Sequence, residues 1–158
     1  MRLRPIERAD WPAILQMNEE SIDLVSPLDP EGLQMLIAQA FCSIAVDADG
    51  EVLAFAVVLT TRTAYESPNY RWFCDRYAHF LYLDRIVVSE SSRRRGVATI
   101  VYEEVENLAA PFGRLVCEVD FEPPNVASLA FHAARGFQQV GRATNSGGKV
   151  LAMLAKEL

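Results

Sequence analysis

The sequence predicts a mixed α/β (α+β) sheet flanked by about four helices, in the order β-α-α-β-β-β-α-β-α-β-β, and three observations carry that reading. β-rich segments at 41–47 and 51–60 flank Ala48-Asp49-Gly50, a hairpin turn signal. A β-branched strand ending at Val88 runs through a polar turn into an amphipathic helix, and a further strand follows at 114–119, which is a crossover connection. No repeat, low-complexity tract or linker interrupts the 158 residues, so 1–158 reads as one domain with enough chain to bury a core.

The elements follow in order. Met1 to Ile6 alternates loosely as a short edge strand. Asp10 offers an N-cap, with Pro12 in the first turn, to a helix running to about Ser21 whose apolar positions are Trp11, Ile14, Leu15 and Met17. Residues 26–30 break the chain, and Asp29-Pro30-Glu31 opens a second helix to about Ala40. After the hairpin, 61–77 is a long polar-aromatic insert, of a length expected of a functional or mobile loop. A strand from about Ala78 to Val88 precedes the turn Glu90 to Arg95 and the helix from about Gly96 to Ala110. The strand at 114–119, a helix at 125–135 and two closing strands at 137–141 and 149–156 complete the chain.

Composition excludes several classes. With 15 basic and 21 acidic residues the net charge is −6, which disfavours nucleic-acid binding through a broad basic face and mildly favours a cationic small substrate. No apolar run approaches the roughly 18 residues of a membrane span. The start MRLRPIERAD has no apolar core, so a secretory signal is not expected. Cysteines 42, 74 and 117 are odd in number and far apart, which argues against a disulfide framework and for reduced thiols in cytoplasm. Two histidines are too few for a His-rich metal site, and no metal is expected.

The most informative segment is 86–99, Ile-Val-Val-Ser-Glu-Ser-Ser-Arg-Arg-Arg-Gly-Val-Ala-Thr. A helix start leaves amides unpaired and carries partial positive charge. The lack of bulk at Gly96 and Ala98 lets an anion approach those amides, and Arg93, Arg94 and Arg95 add cationic donors. In physical terms this is a pyrophosphate cradle. A dinucleotide GxGxxG is absent, and Gly148-Lys149 lacks the Walker pattern because position 143 is Ala and 150 is Val.

Arg93-x-x-Gly96-x-Ala98, after Leu83-x-x-Ile86-Val87-Val88, resembles the R/Q-x-x-G-x-G/A signature of the GCN5-related N-acetyltransferases (GNAT). Asn125-x-x-Ser128-x-x-Phe131-His132-x-x-x-Gly136-Phe137 is similar to the family's N-x-x-A-x-x-(F/L)-Y-x-x-x-G-F segment. The resemblance covers nearly the whole chain. It implies a mostly antiparallel twisted sheet in which the strand ending at Val88 splays from that at 114–119, with acetyl-CoA inserted in the gap. It further implies that main-chain groups of Ile86 and Val88 pair with the pantetheine arm. The amides of Arg94, Arg95, Gly96, Val97 and Ala98 would hold the pyrophosphate, beside Arg93. Asn125, Ser128 and Phe131 would lie along the distal part of the cofactor.

Acyl transfer to an amine needs a base, oxyanion donors and an acid for the leaving thiolate. The family's acid is commonly a Tyr at the position of His132, so this chain departs from the pattern, and His132 stands as a catalytic candidate beside a purely structural role. Period-two alternation puts Tyr82, Asp84, Ile86 and Val88 on one strand face, with Leu83 and Arg85 on the other. Asp84 is thus one candidate base, unless it simply pairs with Arg85. Glu118 is the other, because Cys117-Glu118-Val119 resembles a Leu-Glu-Val segment of ribosomal-protein N-terminal acetyltransferases whose Glu is the base, although two extra residues separate Glu118 from Asn125 here. The acceptor walls implied by the resemblance are Asn18, Glu19 and Glu20, with Tyr65, Tyr70, Trp72 and Phe73 of the insert and Tyr82. Acid with aromatic lining suits a cationic amine. The same aromatics also fit a hydrophobic plug or a homodimer contact. The expected activity is acetyl-CoA-dependent acetylation of a small or amino-acid-like primary amine. The alternatives are a non-catalytic acyl-CoA-binding module and a protein N-terminal acetyltransferase.

Overall fold

The computed structural model describes all residues from 1 to 158. Seven strands form one sheet: β1 (Arg2–Pro5), β2 (Cys42–Ala48), β3 (Glu51–Thr60), β4 (Leu81–Val88), β5 (Arg114–Glu122), β6 (Gln138–Thr144) and β7 (Val150–Glu157). Their spatial order is β1-β2-β3-β4-β5-β7-β6, and every neighbouring pair is antiparallel except β4 with β5. Five helices cover it: α1 (Trp11–Glu20), α2 (Pro30–Gln39), α3 (Pro68–Cys74), α4 (Val97–Ala109) and α5 (Val126–Ala134).

Two apolar layers hold the sheet. On one face Val97, Val101, Tyr102 and Val105 of α4 pack against Ala54, Ala56, Leu81, Leu83, Leu115 and Cys117, with Leu129 and Phe131 of α5 at the margin. On the other, Ile14 and Met17 of α1, Leu33 and Leu36 of α2, and Tyr70 and Phe73 of α3 cover Phe55, Val57, Tyr82, Val116 and Met153. The β2–β3 turn is as expected: Asp49 (φ 52°) and Gly50 (φ 86°) both take positive φ, the twist that a two-residue hairpin favours. Asp29 caps α2 through a 2.6 Å bond from the Gly32 amide.

Three expectations need correction. Asp10 does not cap α1, because Arg4 claims its carboxylate at 2.7 Å and the residue sits buried in a 3-10 turn, Arg8–Asp10. The 61–77 insert is not all loop, since Ser67 and Pro68 start α3 and turn Tyr70 and Phe73 into the core. Those rings are therefore spent inward rather than offered to a second subunit. Third, the alternation along β4 fails. Val57 and Val58 of β3 stand opposite Arg85 and Leu83, which leaves Asp84 as an extra residue in a β-bulge. Leu83, Ile86 and Val88 consequently share the α4 face, while Tyr82 and Val87 share the other. Tyr82 and Ile86 do not point the same way.

Candidate active site

The parallel pair β4/β5 is matched only at Leu81↔Leu115 and Tyr82↔Val116. Past that point the strands part, and β4 continues to Val88 with no partner on the β5 side. Backbone groups in a sheet normally bond on both sides, so this gap is a ready slot for an extended ligand.

At the exit of the slot the chain turns into α4. Gly96 is the N-cap in a left-handed conformation (φ 78°), and Arg94 also takes positive φ (59°). Glycine suits the first position because a side chain there would be strained, although a Cβ would meet nothing within 4 Å. None of the amides from Arg94 to Thr99 donates to a backbone or side-chain acceptor, so they form a run of free donors at a helix start. Arg93, Arg94 and Arg95 are exposed around it, and Val97 is buried beneath.

Glu118 sits two residues past the last β4/β5 pair, at the apex of the splay. Its side chain shares the Val116 face, toward α1, α2 and α3. Oε1 accepts from Tyr82 Oη at 2.9 Å and from Asn69 Nδ2 of α3 at 3.1 Å. Oε2 is closed off from solvent and has no partner. Burial, and next the nearby Asp84 charge, push the Glu118 carboxyl up to about 8, against the two hydrogen bonds that favour its ionised form. A carboxyl at that level holds its proton over most of the neutral range and becomes free to take one as pH rises through about 8.

Asp84 is more committed. Tyr65 Oη donates to its Oδ1 at 2.5 Å, and Arg85 Nε pairs with Oδ2 at 2.7 Å, with both charged side chains nearly fully buried. Arg85 then reaches Asn18 Oδ1 (2.9 Å), the Ser26 carbonyl (3.1 Å) and Ser26 Oγ (2.8 Å). Asn18 is thus a core strut between α1 and β4 instead of an open wall, while Glu19 is exposed at the end of α1. Tyr70 Oη donates to the Thr60 carbonyl at 2.6 Å, and Tyr82 is fully buried with only its hydroxyl turned to Glu118. Trp72 stacks with Arg76 at 3.5 Å and lies so close over Gly141 that a Cβ there would collide with its ring.

His132 is 5% exposed, in the α4 layer. Nδ1 meets the Ser128 carbonyl at 2.7 Å, and because that oxygen only accepts, Nδ1 carries the hydrogen. Nε2 is then the acceptor for Tyr102 Oη at 2.5 Å. Burial lowers its pKa, so the ring is neutral with both nitrogens engaged. Of the distal residues, Asn125 caps α5 by accepting from the Ser128 amide at 3.2 Å, and Phe131 packs edge-on against Tyr102. Two open hollows, of about 330 and 210 Å³, lie away from Glu118, at 61–78 and where α1 ends beside Val88 and Arg93.

The acetyltransferase (GNAT) family model matches residues 2–137. The chain belongs to the GNAT acetyltransferase family. Among solved structures, the GNAT fold here is similar to Naa20 of Chaetomium thermophilum in complex with a bisubstrate analogue (TM-score 0.80, 13% identity, covering 100% of this chain and 87% of that one). A ribosomal-protein-alanine N-acetyltransferase of Brucella melitensis gives TM-score 0.72 at 20% identity over 100% of both chains. An N-acetyltransferase of Staphylococcus aureus Mu50 gives 0.73 at 22% identity over 99% of this chain and 97% of that one. At these identities the likeness is one of fold. No curated protein sequence matches this GNAT chain. No helix is long and apolar enough to cross a membrane.

Asn69 is the residue sequence reasoning missed. Its contact with Glu118 spans 49 positions. The local signal for its helix was the Ser67-Pro68 pair inside the insert.

Proposed function

We propose that this protein transfers an acetyl group from acetyl-CoA to the primary amine of a small or amino-acid-like acceptor, with Glu118 as general base. The observation that carries the reading is the enclosed, unpartnered Oε2 of Glu118 at the apex of the β4/β5 splay. The residues fit the cofactor. The free amides of Arg94 to Thr99 and the flanking arginines suit a pyrophosphate, and the unpaired β4 edge at Ile86 and Val88 suits an extended amide-bearing arm. Bound acetyl-CoA supplies a thioester carbonyl open to attack by a neutral amine.

The chain's own part is proton management and positioning. Tyr82 and Asn69 hold Oε1, which leaves Oε2 to accept a proton from the amine. Asp84, paired with Arg85, is the weaker candidate base because both of its oxygens are already engaged. His132 has no free ring nitrogen, and its proposed role is to position α5 against α4. Three unpaired thiols suit a reducing, cytoplasmic setting.

The test is Glu118→Gln with thiol release followed over a panel of amines. A loss of about 10²–10⁴-fold in kcat/KM is expected, with thermal stabilisation by acetyl-CoA retained. Full turnover in the variant would remove Glu118 from the mechanism. The engaged His132 ring favours a second reading, a non-catalytic acyl-CoA-binding module. Acetyl-CoA binding without thiol release for any amine would select it.

A further inference from the structure

The turn between β6 and β7 is strapped to the loop between α1 and α2. Lys149 Nζ donates to the Asp23 carbonyl at 2.5 Å and to Asp120 Oδ2 at 2.9 Å. Both ends of the strap are braced. Asn145 Oδ1 accepts from the amides of Gly147 and Lys149, which fixes the turn that carries the lysine. Arg85 holds Ser26, three residues from Asp23 in the same loop. Asp120 lies two residues beyond Glu118 on β5, so the two carboxylates share one face, about 7 Å apart along the strand. The bridge therefore lies on the same face of the sheet as the Glu118 side chain.

We propose that the Lys149–Asp120–Asp23 clasp is a specificity element: it admits a small primary amine and excludes a polypeptide N-terminus. The proposal rests on the acyl-transfer reading above. An extended peptide advances about 3.3 Å per residue. A peptide with its α-amine at Glu118 that runs along β5 would bring its third residue to the clasp. A single amino acid or a short amine ends before it.

The test compares wild type, Lys149→Met, which keeps stem length but loses the donors, and Lys149→Arg, which retains a charged donor. Acetyl-CoA is the donor, alaninamide and ethanolamine are the small amines, and a tetra-alanine amide is the peptide. Wild type is expected to favour the small amines. Lys149→Met should raise the peptide-to-small-amine ratio of kcat/KM at least tenfold with small-amine turnover within threefold of wild type, and Lys149→Arg should keep the wild-type ratio. A wild type that takes the tetrapeptide as readily as the small amines overturns the proposal, as does a ratio unchanged by Lys149→Met. If no amine releases thiol from wild type, the acyl-transfer reading has failed, and the clasp is judged by hydrogen exchange in residues 21–29. Exchange at least tenfold faster in Lys149→Met supports the strap, and unchanged exchange overturns it.

Discussion

Replacing Glu118 by glutamine should make the protein more stable while disabling it, and the gain should depend on pH. The amide oxygen can still accept from Tyr82 and Asn69, so the variant differs from wild type chiefly in carrying no titratable proton. In the wild type the folded carboxyl titrates at about 8 against an ordinary value of 4.5. Below about 4.5 both folded and unfolded forms are protonated, and the group costs nothing. Between 4.5 and 8 the unfolded carboxyl ionises while the folded one keeps its proton, so the wild type loses about 1.4 kcal/mol per pH unit. Above 8 the loss levels off at on the order of 5 kcal/mol, and at pH 7 it is about 3 kcal/mol. For a chain of this length each kcal/mol moves Tm by roughly 2–4 °C. Melting curves of the two proteins from pH 4 to 9 should therefore converge at the acid end and diverge by about 6–12 °C at pH 7. A constant difference across that range refutes the buried, proton-holding Glu118 and with it the physical basis of the proposed base. The same proton sets the activity profile, and kcat/KM should rise with pH through about 8.

Gly96→Ala should cost roughly 1–2 kcal/mol in urea unfolding, because the strain is conformational and the space is open. Gly96→Trp should also abolish the stabilisation by acetyl-CoA, which at one hundred times Kd is about 2.7 kcal/mol in wild type; equal stabilisation in the variant would move the pyrophosphate elsewhere. His132→Phe should lose about 1–3 kcal/mol through the stranded Ser128 carbonyl and Tyr102 hydroxyl. Turnover per folded molecule should stay within threefold, and a hundredfold loss would return His132 to the chemistry. Because burial favours the neutral ring, the His132 contribution is present above about pH 6.5 and fades as pH falls, so the stability gap to His132→Phe should narrow in acid. Arg85→Met should cost about 3–5 kcal/mol by leaving Asp84 buried and unpaired, and adding Asp84→Asn should recover part of it; a double variant no more stable than the single would refute that cause.

What the sequence disclosed was what local chemistry writes. The helix start at Gly96, the helix opened by Asp29 and the Asp49-Gly50 turn each depend on a few adjacent residues and are found where the pattern puts them, while the left-handed φ of Gly96 is not part of that reading. Glu118 stands out only through the resemblance of Cys117-Glu118-Val119, and its face is fixed by the β5 register rather than by anything read from the sequence. The β4 bulge was not legible either, because an extra residue is visible only against its partner strand, and Leu-Tyr-Leu-Asp-Arg-Ile reads as unbroken alternation by itself. The Asp10 cap was lost to Arg4, and Asn18 was withdrawn from the acceptor wall by Arg85, both through charged partners that the sequence pattern does not bring together. Lys149 looked like half of a failed phosphate motif and gains meaning only from Asp23, 126 residues away.

The parting of β4 from β5 has a consequence for how the protein lives outside its reaction. A sheet normally exposes unpaired backbone only at its two rims, and here a third such rim lies in the middle of the sheet. Unpaired strand edges of this kind are templates for pairing with an extended segment of another chain. Occupancy of the slot by a small ligand would then act as a guard against self-association. Preparations without acetyl-CoA should then cloud sooner on concentration than preparations to which it has been added.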